Sequence, residues 1–326
     1  MLMLSGKDVQ SLLDIKELIQ ILEEAHVQLS TGKAVMPVRL VVPLPLIKGR
    51  LTSMPGYLCD SNALGMKVVT YFQENPNVGL PAILATITLY SPETGKPLVL
   101  MDGSYITAIR TACASAVATK ALANPETPVL GILGAGVQAR AHVRALSTVR
   151  RITRVKVYSP SGTSAKRLKA DLEAETGIEI EPVGTAVEAV REVDLLTTVT
   201  TAKEPILNAD WLKRGLHINA VGSHRPDIRE IDPATIKLAR IVVDSREAIR
   251  AECGDILLAI KAGEVTEDCI DAEIGEVLAG AKPGRSSADE ITLYKSVGIA
   301  LQDVATAHLV YQKALDRRVG VDVEVN

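Results

Sequence analysis

A glycine-rich turn between an apolar run and an amphipathic segment constrains the fold more than any other stretch of this chain. Val129 to Leu133 is a short apolar run, typical of a buried strand in a parallel sheet. Gly134 to Ala139 reads GAGVQA, fits the pattern G-x-G-x-x-G/A, and is followed by apolar residues at helical spacing. The motif alone also fits an ordinary glycine-rich turn. Because strand, turn and helix occur in the required order, we predict a dinucleotide-binding site here.

Each small residue of this motif has a physical role. Gly134 permits the tight turn, Gly136 lets the backbone approach a pyrophosphate, and Ala139 lets the helix pack closely on the strand. The free N–H groups and the dipole at the helix start attract the phosphates. An α/β domain is therefore expected to begin near Pro128.

Predicted strands and helices alternate from Pro128 onward, which favours a doubly wound parallel sheet. A final long helix is expected over Ile291 to Arg317 and, from its length and position, is expected to return to the first domain. The predicted strands are Val129 to Leu133, Arg154 to Tyr158, Ile178 to Glu181, Val193 to Thr200, His217 to Val221 and Ala239 to Val243, and the predicted helices include one from Val137, Ser164 to Thr176 and Thr185 to Arg191.

The residues before Pro128 have a different pattern. One or two amphipathic helices are predicted over Ser5 to Ser30, and a long helix over Tyr105 to Leu122. Between them a period of two and repeated turn signals predict a mostly antiparallel sheet. Its strands are Val38 to Leu46, Leu51 to Tyr57, Met66 to Phe72, Ile83 to Tyr90 and Leu98 to Met101.

The predicted fold class is therefore α/β with two domains. Residues 119–299 are expected to form a Rossmann domain with a doubly wound parallel sheet. Residues 1–118, completed by 300–326, are expected to form a discontinuous α+β domain.

Charge and composition exclude several classes of partner. The formal net charge is -3 and 23% of the residues are charged, so we expect no nucleic-acid-binding surface. No apolar run approaches the ~20 residues of a membrane span, and the start MLMLSGKDVQ has no signal-peptide pattern. A hydrophobic content of 47% is explained by a subunit interface, or alternatively by a large buried core. Scattered cysteines predict reduced thiols in a cytoplasmic protein and no metal site: Cys59, Cys113, Cys253 and Cys269.

The end of the second predicted strand of the parallel sheet indicates which dinucleotide binds. NAD-preferring folds usually have Asp or Glu there, and this strand end carries no acid. The hydroxyls of Ser159, Ser161 and Thr163 come next, followed by Lys166 and Arg167. These groups can bind a 2′-phosphate, although they also fit a capped helix start with solvated basic side chains. NADP(H) is the favoured cofactor on this pattern, with NAD(H) as the alternative.

Three basic residues stand among apolar neighbours: Arg39 and Lys67 on predicted strands, and Arg110 on the long helix. A cation in such surroundings loses hydration unless a partner compensates, so each lies on an exposed face, pairs with a structural acid, or binds a ligand. Together they favour a pocket for a small carboxylate, since Arg binds carboxylate in a bidentate manner. A desolvated Lys can also transfer protons. Among the histidines, His224 is the candidate for the site, because it follows a strand at its carboxyl end.

Ordered sequence blocks are spread across both predicted domains. They are Pro37 to Pro43, Met54 to Tyr57, Leu64 to Val69, Met101 to Gly103, Arg110 to Ala112, Ile132 to Ala139, His217 to Gly222, Gly254-Asp255 and Lys295 to Gly298. Over nearly its whole length the chain resembles the ornithine cyclodeaminase/mu-crystallin family. Residues 204–207 and 225–227 are most similar to the mu-crystallin (ketimine reductase) branch.

The resemblance implies a homodimer formed through the N-terminal domain and NAD(P) bound by the Rossmann domain. It implies that Arg39 and Arg110 bind the substrate carboxylate, and that Lys67 orients the substrate or donates a proton. With His224, these are the candidate catalytic residues. The candidate cofactor-binding residues are Gly134, Gly136, Val137 and Gln138 at the pyrophosphate, Thr200 and Val221 beside the nicotinamide, and Thr86, Arg110, Ser159, Ser161 and Ser296.

Two departures from the ornithine cyclodeaminases bear on the substrate. Those enzymes carry an Asp at the position of His224 and a Glu shortly before the Met-Pro pair, where this chain has Thr52 and Ser53. Without these acids, the side-chain ammonium of ornithine has no evident partner. The expected activity is NAD(P)H-dependent reduction of an imino acid, such as pyrroline-2-carboxylate or piperideine-2-carboxylate. Alanine dehydrogenase-like reductive amination, ornithine cyclodeamination and a cofactor-dependent small-ligand binding protein are the alternatives.

Overall fold

The computed structural model describes residues 1–324, which divide into two compact units. Unit 1 comprises Met1–Thr111 and the described residues from Ile299 onward, and unit 2 comprises Ala112–Gly298. The first division precedes the boundary at 118/119 that the sequence predicts. The helix Ser104–Leu122 runs through both positions, so no turn residue or change of composition marks the division in the sequence.

The first part of the chain forms a sheet with short helices. In chain order its elements are strand β1 (Leu2–Leu4), helices α1 (Gly6–Leu12) and α2 (Ile15–Ser30), strands β2 (Ala34–Val35), β3 (Leu40–Leu44), β4 (Gly49–Leu58), β5 (Ala63–Phe72), β6 (Ile83–Tyr90) and β7 (Pro97–Asp102), and helix α3 (Ser104–Leu122).

The rest of the chain alternates between strands and helices. None of the helices within residues 1–324 is long and apolar enough to cross a bilayer. The elements are β8 (Val129–Leu133), α4 (Val137–Val149), β9 (Arg154–Tyr158), α5 (Thr163–Thr176), β10 (Glu179–Pro182), α6 (Ala186–Val190), β11 (Leu195–Thr198), β12 (His217–Ala220), α7 (Pro233–Leu238), β13 (Arg240–Val243), α8 (Arg246–Glu252), α9 (Gly254–Lys261), β14 (Ile270–Glu273), α10 (Ile274–Leu278), β15 (Thr292–Lys295), α11 (Ala300–Arg317) and β16 (Val321–Asp322).

Unit 1 is built on a mostly antiparallel sheet, as its period-two pattern predicts. The strand order is β16-β1-β7-β6-β5-β4-β2, and β3 also pairs with β4. Only β1 and β7 pair in parallel among the described strands of this sheet. α11 packs on β4, β5 and β6 and against α2, so one face of the sheet forms the core. The N-terminal helices begin at side-chain caps from Ser5 and Asp14, which accept from the first-turn N–H groups.

Unit 2 contains the parallel sheet that the alternating pattern predicts. Its strand order is β10-β9-β8-β11-β12-β15-β13-β14. The chain runs outward from β8 in one direction through β9 and β10, and returns to the other side of β8 at β11. The doubly wound parallel sheet is therefore confirmed, and the order of the strands reverses next to β8. Ligands of such sheets bind outside the carboxyl ends of the strands at this reversal.

The prediction of one helix over Ile291 to Arg317 is wrong. Thr292 to Lys295 form β15, which lies between β12 and β13 in the parallel sheet. Helix α11 begins only at Ala300, after Gly298 adopts a positive φ of 76°. Thr292 and Tyr294 favour a strand, but a short apolar run fits a buried strand and a buried helix equally well.

Candidate active site

Unit 1 buries a cluster of charged side chains around Asp303. Lys67, on β5, is 1% exposed, and its Nζ lies 2.6 Å from Asp303 Oδ2. Arg110, on α3, is 4% exposed and donates from Nε to Asp303 Oδ1 at 2.9 Å. Its NH1 group donates to Gln302 Oε1 at 2.6 Å. When Lys67 is protonated, two buried cations face one buried carboxylate, and a bound anion can balance the remaining positive charge.

Local structure explains why these side chains meet. Lys67 lies on the face of β5 that is buried, alternating with half-buried neighbours. Asp303 lies in the first turn of α11, where the helix dipole favours a carboxylate. Gln302 precedes it and accepts from the N–H of Ile299 at 3.4 Å, which fixes the amide at the helix start. The sequence analysis missed Gln302 and Asp303, because it placed both inside one predicted helix, Ile291 to Arg317, where polar residues on a solvated face are ordinary.

The pKa of Lys67 is lowered to about 7, mainly by burial and next by the positive charge of Arg110. The carboxylate of Asp303 opposes this shift, and the charge of Arg39 contributes to it. Both the ammonium and the amine form of Lys67 are therefore accessible near neutral pH. This is the property required of a group that donates and accepts a proton.

Arg39 lies immediately before β3, which begins at Leu40, and not within a strand as the sequence predicted. The pairing of β3 with β4 covers only Leu40 to Leu44, which leaves Arg39 outside it. Arg39 is half-buried, and its charge reaches Lys67. The structure thus gathers the three predicted cations in unit 1.

His26, on α2, extends the cluster. Its Nε2 lies 3.2 Å from Gln302 Nε2. Burial, assisted by the charge of Arg110, lowers the pKa of His26 to about 4. His26 is therefore neutral at physiological pH and supports Gln302.

The glycine-rich turn of unit 2 fits a dinucleotide. Gly134 has a positive φ of 105°, and a Cβ there would lie 2.6 Å from the carbonyl oxygen of Val199. A Cβ on Gly136 would meet no described atom within 4 Å, so the space beside this backbone is open to a ligand. Gly136 is the N-cap of α4 and has no side chain to accept from the first-turn N–H groups. Gln138 Oε1 is buried with no partner among residues 1–324, and a ligand hydroxyl can satisfy it. The geometry therefore suits a pyrophosphate at Val137 and Gln138.

Arg140 stabilises this turn, a role the sequence analysis missed. Its NH1 group donates to the carbonyl oxygens of Ala135 at 2.9 Å and Gly136 at 3.1 Å. Its Nε and NH2 groups donate to Asp171 Oδ2, on α5. These contacts turn the carbonyls of the loop toward Arg140, so the N–H groups at the helix start remain oriented outward.

The adenosine end of the predicted site lies after β9. Ser159 is buried and accepts from the Ser164 hydroxyl at 2.9 Å, whereas Ser161 is exposed. Lys166 and Arg167 are exposed on the first turn of α5. The hydroxyl and basic side chains predicted to bind a 2′-phosphate are therefore at the surface, with the exception of Ser159.

The remaining candidates of unit 2 lie at strand ends. Thr200 follows β11 and donates its N–H and its hydroxyl to Glu230. Val221 follows β12 and donates its N–H to Thr198 O at 3.0 Å. His224 is half-buried, and its Nδ1 lies 2.9 Å from Gly222 O, which places the proton on Nδ1 and makes Nε2 the basic nitrogen.

The last two candidates are Ser296 and Thr86, whose contacts with a cofactor stay predictions. Ser296 is buried, and its hydroxyl donates to Asp244 Oδ2 at 2.8 Å. Thr86, on β6, is exposed and next to Ile87, which pairs with Lys67 across the sheet. Successive side chains of a strand point to opposite faces, so Thr86 lies on the face away from Lys67. The structure does not bring Thr86 to the cation cluster.

The fold and these sites define a protein with a Rossmann dinucleotide-binding unit and a second unit that buries cations around one carboxylate. The family model described as ornithine cyclodeaminase/mu-crystallin family matches residues 1–318. The chain belongs to this family, as its sequence blocks predict.

Known relatives match nearly the whole chain. A Thermococcus litoralis Δ1-pyrroline-2-carboxylate reductase, solved with NADH and L-proline, is 45% identical with a TM-score of 0.96, covering 99% of this chain and 100% of that one. An archaeal alanine dehydrogenase dimer with bound NAD is 39% identical with a TM-score of 0.94, covering 99% and 98%. The ketimine reductase mu-crystallin of Mus musculus is 39% identical over 317 residues, which are 94% of this chain and 96% of that protein.

Proposed function

We propose that this chain is an NAD(P)H-dependent reductase of imino acids that carry a carboxylate beside the C=N carbon. The observation that carries the proposal is the buried pair of cations, Lys67 and Arg110, around the carboxylate of Asp303. Such a cluster suits a small anionic substrate. The Rossmann unit with its glycine-rich turn supports the cofactor, and the names of the pyrroline-2-carboxylate and ketimine reductases support imines as the substrate class.

The chain's own residues supply binding and proton transfer. Arg39 and Arg110 bind the substrate carboxylate, and Asp303 and Gln302 fix the plane of the Arg110 guanidinium. The bound reduced nicotinamide supplies a hydride to the imine carbon. As C=N becomes CH–NH, the nitrogen gains a proton, and Lys67 Nζ donates it directly or through a water. His224, the basic residue after β12, is the second candidate for proton transfer.

A panel assay tests this function. NADPH and NADH oxidation is measured with pyrroline-2-carboxylate, piperideine-2-carboxylate, and pyruvate plus ammonia, and the release of ammonia and proline is measured with ornithine plus NAD⁺. We expect the highest kcat/KM with a cyclic imino acid. Proline and ammonia from ornithine would contradict the role given to the missing acids at Thr52 and Ser53. Tight ligand binding without turnover on any substrate would favour a binding protein.

Alanine dehydrogenase activity is the second candidate, since the archaeal relative of that name is 39% identical. It uses the same hydride step after ammonia has combined with a 2-oxo acid. The panel separates the two, because a cyclic imine needs no free ammonia. A kcat/KM for pyruvate plus ammonia above that for both cyclic imines would assign the chain to alanine dehydrogenase chemistry.

We propose that NADPH is preferred over NADH, because β9 ends without an acid and Lys166 and Arg167 are exposed on the next turn of helix. The double variant Lys166→Ala/Arg167→Ala is expected to lower kcat/KM for NADPH about tenfold or more and to change that for NADH less than about twofold. Lys169→Ala is the matched control, as Lys169 lies on the same helix and pairs with Glu173 at 3.3 Å. Equal losses with both cofactors would contradict the preference.

We propose a homodimer formed through unit 1. The strongest support is a group of exposed apolar side chains near β3 and β6, including Leu46, which is 98% exposed. Such a patch is typical of a protein–protein interface, and the archaeal alanine dehydrogenase relative is a dimer. The other large members of the patch are Val35, Leu40, Val41, Val42, Ile47, Val78, Leu80, Ile83 and Leu84.

Substitution within this patch tests the dimer. Leu46→Glu is expected to raise the dimer dissociation constant at least about tenfold, because a charge would be desolvated at the interface. Sedimentation or light scattering measures the mass across a dilution series. Leu238→Glu is the control, as Leu238 is also exposed but lies on α7 of unit 2. A wild-type monomer at high concentration would overturn the proposal.

We also propose a cytoplasmic location. No disulfide joins any of the cysteines within residues 1–324. Cysteines that form no disulfide are usual in a reducing compartment.

A further inference from the structure

A buried carboxylate of unit 2, that of Glu230, connects the carboxyl ends of two neighbouring strands. Glu230 is 0% exposed and lies in the segment between β12 and α7. Its Oε1 accepts from the N–H and the hydroxyl of Thr200, both at 2.6 Å. Its Oε2 accepts from the hydroxyl of Thr198 and the N–H of Gly222, both at 2.8 Å. Each carboxylate oxygen therefore accepts one hydrogen bond from a hydroxyl and one from a backbone N–H.

A buried ion pair between Asp255 and Lys295 fixes the backbone of Glu230. Asp255 Oδ1 accepts from the N–H groups of Glu230 at 2.7 Å and Ile231 at 3.1 Å. Its Oδ2 lies 2.8 Å from Lys295 Nζ, at the end of β15. The network therefore connects the ends of β11, β12 and β15, which are consecutive strands of the parallel sheet.

Two glycines permit this arrangement. A Cβ on Gly222 would lie 2.4 Å from the carboxyl group of Glu230, and a Cβ on Gly254 would lie 1.9 Å from the carbonyl oxygen of Ile228. Any larger residue at either position would displace the carboxylate or the backbone that carries it. Gly222, Gly254-Asp255 and Lys295 belong to the ordered sequence blocks, and the proposed reaction gives these particular residues no role.

The position of Glu230 and its hydrogen-bond partners relative to the glycine-rich turn indicates which half of a bound dinucleotide they face. The turn follows β8, with β9 on one side and β11 on the other. A dinucleotide bound across this reversal places its two halves over opposite sides of β8. With the adenosine half after β9, the nicotinamide half lies over the ends of β11 and β12. Those ends are the segments 198–200 and 220–222, which Glu230 fixes.

We propose that Glu230 is a positioning residue, which holds the Thr200 and Gly222 segments against the nicotinamide half of the bound dinucleotide. The inference rests on the proposed function, since that places the dinucleotide on unit 2. The carboxylate does not need to touch the cofactor. It accepts four hydrogen bonds and so fixes the peptides that form the surface beneath the ring.

Glu230→Gln tests the inference, with NADH and ADP-ribose as probes. Either orientation of the new amide turns its NH2 group toward one backbone N–H, that of Thr200 or that of Gly222, so one segment must move. We expect the dissociation constant for NADH to rise at least about tenfold, the effect of losing one charge-assisted hydrogen bond. The constant for ADP-ribose, which lacks the nicotinamide, is expected to change less than about twofold.

Asp194→Asn is the matched control, because Asp194 accepts from the N–H of Val129 at 2.9 Å at the opposite, amino end of the same sheet. It is expected to bind both probes as the wild type does. Thr198→Val is the second variant in case Glu230→Gln does not fold, and it is expected to weaken NADH selectively, by about threefold. Wild-type NADH affinity in a folded Glu230→Gln variant, or equal losses of both probes, would overturn the inference alone. Failure of the wild-type protein to bind either NADH or NADPH would overturn the proposed function as well.

Discussion

Lys67→Met is expected to lower kcat for imine reduction about a thousandfold, the contribution of a positioned general acid. Methionine fills similar apolar space, and Asp303 keeps its bond to Arg110, so unit 1 is expected to remain folded. The dissociation constant for NADPH should change less than about twofold, since the glycine-rich turn lies in unit 2. Lys33→Met is the matched control, because Lys33 also pairs with an aspartate, Asp60 at 3.2 Å, but at the surface. Near-normal kcat in Lys67→Met would remove Lys67 from proton transfer.

The same residue predicts the pH dependence of the reaction. The ammonium form of Lys67 is the donor and its pKa is about 7, so kcat/KM for reduction should fall as the pH rises through about 7. Oxidation of the amino acid product should instead increase over this range, because it requires the amine form. This fall in kcat/KM should be absent in Lys67→Met, whereas a pH dependence that comes from ionisation of the imine itself should persist.

Asp303→Asn separates Lys67 from other titrating groups. The charge of Asp303 raises the pKa of Lys67 and so opposes the effect of burial. Removal of that charge should move the fall in kcat/KM to lower pH. If kcat/KM of this variant fell at the same pH as that of the wild type, a group other than Lys67 would be titrating.

Arg110→Leu is expected to lower kcat/KM for the imino acid at least about a hundredfold, the effect of losing a buried charge-assisted contact with the carboxylate. Cofactor affinity should remain nearly unchanged. Asp303 retains its partner Lys67 at 2.6 Å, and thermal unfolding measures whether unit 1 tolerates the change. Near-normal activity would exclude Arg110 from carboxylate binding.

Arg110→Lys tests whether the guanidinium fork or only its charge is required. Lysine keeps a positive charge beside Lys67 but cannot bind a carboxylate in a bidentate manner. A KM well above the wild-type value with a smaller change in kcat would assign Arg110 to substrate binding. A KM equal to that of the wild type would show that charge alone suffices.

The sequence predicts the parallel sheet near its glycine-rich turn with little error. The structure has β8 and β9 at the residues that the sequence predicts, Val129–Leu133 and Arg154–Tyr158. Strands buried on both faces are continuous apolar runs, and turn residues mark their ends. By contrast, β1 and β16 were not predicted, because they are very short and depend on pairing between distant residues such as Met3 and Val321.

Only part of the candidate site could be predicted from the sequence. Arg39, Lys67 and Arg110 attract attention because a cation among apolar residues is unusual. Asp303 is as deeply buried, but it lies 193 residues from Arg110, and nothing local shows that the two meet. The burial of Glu230 could not be predicted either, for a different reason. Its segment, HRPDIREIDP, is rich in charges, and an acid in such a segment is ordinarily solvated.

Because unit 1 is completed by the last elements of the chain, its charge cluster is assembled late. A ribosome releases β5 and Lys67 first, then all of unit 2, and only afterwards α11 with Asp303. The continuous unit 2 can fold while synthesis proceeds, as domains generally do. Before α11 emerges, Lys67 and Arg110 lack the carboxylate of Asp303, and burial of a cation without its partner is unfavourable.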